Sequence, residues 1–106
     1  MKISVCIPMY NEASIIADTA KTLSDYMAQN FEDFEILFSN DGSTDGSAEI
    51  VGGLGLPGVR VVGYPDNRGK GSAVRHAMMA AEGDIILFTD SDLAYGTEVI
   101  DRKSVV

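Results

Sequence analysis

The sequence is short of the residues that build disulfide frameworks, zinc sites and basic surfaces: it has one cysteine, one histidine and no tryptophan. Cys6 stands alone inside an apolar run, so no intramolecular disulfide can form, its expected job is packing, and a cytoplasmic setting follows as the default. His76 has no cysteine or second histidine near it in sequence to complete a zinc site, and is read as a partly buried helix residue. Positive charge is scarce too. Eight Lys and Arg stand against sixteen Asp and Glu, and the net charge of -8 argues against nucleic acid or an anionic membrane surface as the main partner. Cations, or neutral and cation-bridged ligands, suit such a chain better. Long hydrophobic runs are also missing: the opening run 3–7 stops at Pro8, too short for a secretory signal, and no later window would make a transmembrane segment. With 106 residues, 45% of them hydrophobic, and no repeat, low-complexity stretch or linker, residues 1–106 are expected to form a single domain.

What the chain does have is a regular alternation. Runs rich in β-branched and aromatic residues at 3–7, 34–39, 59–62 and 84–89 are nearly continuous in apolar character, as parallel strands covered on both faces are. Helices are predicted between them. The first spans about 13–29 with Ile15, Ile16, Thr19, Leu23, Tyr26 and Met27 near one face. The second spans about 44–54, with an N-cap among Ser43, Thr44 and Asp45 and with Gly52, Gly53 and Gly55 weakening and ending it. The third spans 69–82 with Ala73, Val74, Ala77, Met78 and Ala81 inward and Gly83 at its exit, and a short helix is expected near Gly96 or Thr97. Strand and helix in alternation, joined by right-handed crossovers, give an α/β fold: an open, doubly wound, mostly parallel Rossmann-like sheet in three layers.

Polar clusters follow each strand. Tyr10, Asn11 and Glu12 follow the first, Asn40 to Asp45 the second, Asp66 to Gly71 the third, and Asp90, Ser91 and Asp92 the fourth. In a parallel sheet all four lie along the rim formed by the carboxyl ends of the strands, where this architecture binds ligands.

Asp90 and Asp92 are two carboxylates one residue apart. On extended backbone they project the same way and repel each other, which suits a hard divalent cation that also grips phosphate oxygens. An aspartate at a strand end also makes Asx-turns or caps helices, and the motif alone fits either role. The stretch 40–46 reads as a strand-to-helix turn that also imitates a calcium loop, except that its closing position is Gly52 rather than Glu, which speaks against calcium. As an alternative to the turn, Asp41 or Asn40 hydrogen-bonds a base or ribose edge, as acidic groups do after the second strand of nucleotide-binding sheets. The stretch 69–72 fails as a P-loop, because Pro65 stands where a glycine is needed, and as a dinucleotide fingerprint, because Val74 does. It remains a cationic helix start, either solvated or offering backbone N–H groups, Lys70 and, further along, Arg75 to an anion. Pro8 ends the first strand and Tyr10 offers a ring for a base to stack on; Asn11 and Glu12 either hydrogen-bond a nucleoside or cap the first helix.

Taken together, the segments 7–12 (IPMYNE), 39–47 (SNDGSTDGS), 66–84 (DNRGKGSAVRHAMMAAEGD) and 86–93 (ILFTDSDL) resemble the amino-terminal, nucleotide-sugar-binding half of family 2 glycosyltransferases with the GT-A fold, nearest to the polyprenyl- and dolichyl-phosphate hexosyltransferases. The resemblance implies inverting transfer of a sugar from a UDP- or GDP-linked donor, with Mg²⁺ or Mn²⁺ as cofactor and a polyprenyl phosphate as acceptor. By position, Pro8, Tyr10, Asn11, Glu12, Asn40 and Asp41 would serve the nucleoside, with Lys70 and Arg75 on the phosphates. Asp90 would touch ribose or metal, and Asp92 would hold the metal. Asn40 departs from the family pattern, which opens this motif with a pair of acids.

The family's acceptor-side half, with its catalytic base, has no counterpart in these residues, so the chain is expected to be truncated relative to the family and to bind nucleotide and metal better than it catalyses. A sheet that stops after its fourth strand is expected to leave an open edge, and with it a homo-oligomer. The expected location is cytoplasmic, or the cytoplasmic face of a membrane through a partner. Two rivals are a non-catalytic nucleotide-binding or regulatory module and a response-regulator receiver domain. The second wants an acidic pair after the first strand, where Tyr10, Asn11 and Glu12 stand.

Overall fold

The computed structural model of the chain describes residues 1–91 and a short strand at 104–105. The order of elements is β1 (Ile3–Met9), α1 (Ile16–Asn30), β2 (Phe34–Asp41), α2 (Ser47–Gly53), β3 (Val59–Tyr64), α3 (Lys70–Ala80), β4 (Ile85–Phe88) and β5 (Ser104–Val105). The sheet order is β3-β2-β1-β4-β5, with the first four strands parallel and β5 antiparallel to β4. The chain winds outward from β1 to β3, then returns to the far side of β1. The crevice of such a sheet opens at that reversal, between β1 and β4.

Alternation along the strands feeds two unequal layers. Val5, Ile7 and Met9 of β1 and Ile36 and Phe38 of β2 pack with Ile16, Leu23 and Met27 of α1 and Val51 of α2. Side chains of this size contribute about 1.5–3 kcal/mol each when fully buried. The other face is thinner. Cys6 and Leu37 meet Ala77 of α3, joined by Val62, Ile86 and Phe88, and the buried residues of α3 are Ala73 and Ala77. Small side chains let this helix lie close to the sheet. Burial pushes the Cys6 thiol up to about 11, with the Glu35 carboxylate adding to the effect, as fits a packing residue.

The helices are shorter than their sequence patterns suggest, for local reasons. Residues 13–15 form a turn, because the Ala13 N–H donates to Asp45 Oδ2 at 3.0 Å. Ile15, expected inward, is exposed. The N-cap residue of α2 is Gly46, at φ 86°, which has no side chain to cap with, and the preceding Asp45 takes up the first helical N–H: its Oδ1 accepts from the Ser47 N–H and hydroxyl. On α3, Met78 is exposed rather than inward, since alanines at 73 and 77 already fill the narrow interface. The open edge expected on β4 is paired over two residues, Ile86 with Val105 and Leu87 with Ser104. The helix expected near Gly96 or Thr97 lies outside the described residues. No helix among the described residues is long and apolar enough to cross a membrane.

Candidate functional site

A cavity of about 590 Å³ opens at the carboxyl ends of the strands, lined by Pro8, Met9, Tyr10, Glu12, Asp41, Asn67, Gly69, Lys70, Asp90 and Ser91. Each of the four parallel strands contributes to it, through its own carboxyl end or through the segment that follows. Its size falls in the usual range for small-molecule sites.

The walls are fixed by hydrogen bonds between rim loops. The loops after β1 and β2 are zipped together: the Asn11 N–H donates to Ser43 Oγ at 3.0 Å, the Glu12 N–H to Ser47 Oγ at 2.9 Å, and the Thr44 N–H to Asn11 Oδ1 at 2.7 Å. Asn11 sits at φ 50°, a left-handed conformation that asparagine tolerates better than most residues. Its side chain is thus a clamp between loops, and it does not line the cavity. Asn40 also works locally, with its Oδ1 accepting the Ser43 N–H at 3.0 Å to close the turn. Asp45 stitches the same loops, and hydrogen bonds from the Ser47 hydroxyl and the Ala13 N–H hold its carboxyl below the usual range.

Asp41 is buried, 3% exposed, at the end of β2. Its carboxylate gathers the loop after β3: Oδ1 accepts the Arg68 N–H at 2.8 Å, and Oδ2 accepts the Gly69 N–H and the Asn67 amide, both at 3.0 Å. Gly42 lets that loop come close. At φ 71° it already occupies glycine territory, and a Cβ there would lie 2.5 Å from the backbone of Asp66 and Asn67. Behind the loop, Tyr64 carries the Arg68 guanidinium 4.5 Å above its ring centre and meets His76 edge-on at 5.4 Å. His76 is therefore a packing residue, as its isolation in the sequence implies. Asp66 pairs with Arg68, which keeps its carboxyl low.

The fourth wall carries the charge. Asp90 Oδ1 receives Lys70 Nζ at 2.5 Å, from the first residue of α3. Glu12 accepts the Ser91 hydroxyl through Oε2, which ties the segment after β4 to the loop after β1. Tyr10, 45% exposed, presents its ring at the mouth.

With this geometry in place, comparison with known proteins decides the family. Residues 4–102 match the family model described as glycosyl transferase family 2. The chain belongs to that family. A dolichyl-phosphate beta-glucosyltransferase of Drosophila melanogaster is 33% identical over 115 residues, covering 99% of this chain and 35% of the relative. Among solved structures, S. aureus TarS in complex with UDP superposes with a TM-score of 0.76 at 34% identity, over 87% of this chain and 28% of the other. A mannosyltransferase from Pyrobaculum calidifontis in complex with GDP-Man and Mn²⁺ does so with a TM-score of 0.73 at 28% identity, over 85% and 27%. The chain spans about a third of the length of the curated relatives it matches. The fold is thus that of the GT-A glycosyltransferases, as the motif resemblance implies.

In this member of the family, the residues read from the sequence divide by place. Pro8, Tyr10, Glu12, Asp41, Lys70 and Asp90 converge on the cavity, whereas Asn11 and Asn40 are spent on loop turns. Arg75 is exposed on α3 and does not line the cavity. Asp92 lies outside the described residues. Met9, Asn67, Gly69 and Ser91 also line the cavity; the last three fall within the polar clusters read from the sequence, whereas Met9 carries no polar signal there.

Proposed function

We propose that the chain is the donor-binding unit of a glycosyltransferase, holding a UDP- or GDP-linked sugar together with Mg²⁺ or Mn²⁺ for inverting transfer to an acceptor of the polyprenyl-phosphate class. The observation that carries this reading is the convergence of Pro8, Tyr10, Glu12, Asp41, Lys70 and Asp90 on one cavity at the rim of a family 2 sheet. The name of the Drosophila relative motivates the acceptor class, and the Pyrobaculum complex motivates the metal.

The residues present fit a divalent cation. Asp90 supplies hard oxygen and already attracts a cationic group, Lys70 Nζ, at 2.5 Å. No group of three or more His, Cys, Asp or Glu side chains among the described residues is placed to hold a metal, so the cation would rest on Asp90, on Asp92 and on phosphate oxygens of the donor. Bound there, it would neutralise the negative charge that develops on the departing nucleoside diphosphate.

The chain's own groups do the rest. Tyr10 gives a ring against which a base can stack, and Asp41 fixes the loop of Asn67 and Gly69 that forms one wall. Lys70 adds a positive charge for phosphate. We place the unit in the cytoplasm and, through a partner, at the cytoplasmic face of a membrane, where a polyprenyl-phosphate acceptor would be met, and as a homo-oligomer.

Calorimetric titration of UDP, GDP and their sugar conjugates, with Mn²⁺ or Mg²⁺ and again with chelator, tests the proposal. Metal-dependent binding of one nucleotide family is the expected result. Absence of binding by all of them under every condition would overturn it.

A further inference from the structure

Lys70 and Asp90 form an ion pair at the cavity rim, far more open to water than the pair that Glu35 makes with Arg60. The contact is short, 2.5 Å, yet the two side chains are 67% and 56% exposed. Ion pairs this open to water add little to stability. Both residues line the cavity, and the pair belongs to the rim where the proposed cation would rest.

An ammonium is a compact point charge on a flexible four-carbon stem. The stem of Lys70 starts from a fixed base, because Gly69 N–H and Arg68 N–H are both held by the Asp41 carboxylate, at 3.0 and 2.8 Å. Side-chain torsions alone can therefore move Nζ while α3 stays in place. With no nucleotide present, a divalent cation approaching Asp90 must displace a like charge from it. With a diphosphate in the cavity, the ammonium has a second anion to go to, beside a helix start that has no side-chain cap.

We propose that Lys70 is an intramolecular stand-in for the divalent cation. In the nucleotide-free protein it holds Asp90 and keeps metal affinity low. When the diphosphate enters, Lys70 transfers from Asp90 to phosphate oxygen and releases the carboxylate to the metal. Metal and nucleotide then bind cooperatively, and by linkage each raises the affinity of the other by the same factor. The inference rests on the donor-site reading above, and makes Lys70 a positioning residue for metal entry as well as a phosphate contact.

Mn²⁺ titrations followed by the electron paramagnetic resonance signal of free Mn²⁺ test it, on the wild-type chain, Lys70→Gln and Lys70→Ala, each without nucleotide and with saturating UDP or GDP. Circular dichroism confirms that the variants are folded. Without nucleotide, both variants are expected to bind Mn²⁺ about three- to fivefold more tightly than wild type, the size of effect that losing one exposed competing ion pair allows. With saturating nucleotide, where Lys70 has already left Asp90 in wild type, the variants are expected to bind Mn²⁺ about as tightly as wild type, so that the coupling between nucleotide and metal falls by about the same three- to fivefold. Tighter metal binding without nucleotide together with the reduced coupling is the signature; a lysine that merely stabilised the helix start would shift both titrations by the same factor. Unchanged or weaker Mn²⁺ binding by the variants without nucleotide overturns the inference, as does undiminished coupling, or no Mn²⁺ binding by any of the three proteins. Should wild type bind no nucleotide, the donor-site reading fails, and the arm with Mn²⁺ alone still decides whether Lys70 competes for Asp90.

Discussion

Two carboxylates meet a cationic side chain at opposite ends of the same sheet, with different results. Glu35, near the start of β2, pairs with Arg60 at 3.2 Å, and its side chain is 7% exposed. Its Oε2 also takes the Ser4 hydroxyl and the Glu82 N–H, both at 2.6 Å, while Ser4 Oγ in turn accepts the Gly83 N–H at 2.8 Å. Asp90, beyond the end of β4, has Lys70 and far more water around it. Burial by itself works against the Glu35 charge, yet the Glu82 N–H, the Ser4 hydroxyl and Arg60 together hold its carboxyl below the usual range. One end uses its carboxylate to fasten the α3–β4 connection onto β1 and β2. The other leaves its carboxylate where an exchangeable partner can reach it. Burial and the number of fixed donors separate a structural ion pair from one suited to a ligand, and the exchange of a guanidinium fork for a flexible ammonium adds to the difference.

The contrast is broken most severely at the buried end. Glu35→Ala is expected to cost about 2–4 kcal/mol, since it strands the Glu82 N–H and leaves Arg60 without its partner. Denaturant unfolding measures this, and nucleotide affinity of the folded fraction should stay as in wild type. Gly42→Ala comes next, at about 1–3 kcal/mol, because the new Cβ would meet the backbone of residues 66 and 67 and strain a left-handed position. Unlike Glu35→Ala, it should also weaken nucleotide binding, as it displaces the wall that Asp41 assembles; calorimetry with unchanged affinity would sink that link.

At the open end the balance reverses. Asp90→Ala should alter stability by no more than about 0.5 kcal/mol, since only an exposed pair is lost. Metal-dependent nucleotide binding should nevertheless fall by more than about tenfold, a change of about 1.4 kcal/mol in binding free energy. Asp92→Ala is expected to behave alike. A loss of stability without loss of binding in Asp90→Ala would reverse the assignment of the two ends.

Acid gives a finer test. Glu35 has its folded pKa lowered from the ordinary 4.5, so its stabilisation is fully present above that value and drains away as pH falls through the folded pKa. The unfolding midpoint should therefore drop in wild type as pH falls below about 4.5, and drop less in Glu35→Gln. The smallest effect concerns Cys6. Buried, with its thiol pushed up to about 11, it should resist alkylation at neutral pH until the protein is unfolded.

The sequence alone determined the order of the first four strands and the three helices between them, because apolar runs and turn residues are local signals, and it placed four polar clusters on one rim, because parallel topology forces them there; the antiparallel β5 was not legible in it. Pro8, Tyr10, Glu12, Asp41, Lys70 and Asp90 were legible for that reason. Tertiary structure decided what each polar group faces. Asn11 and Asn40 carry the same chemistry as a nucleoside ligand, but hydrogen bonds with Ser43 and Thr44 spend them on loops. Glu35 reads in sequence as one more charge in a strand, and its network exists because residues 4, 60 and 82 arrive beside it from distant parts of the chain. Composition and periodicity record what a residue is and which way its backbone runs; only packing fixes which groups it meets, since that depends on partners tens of residues away.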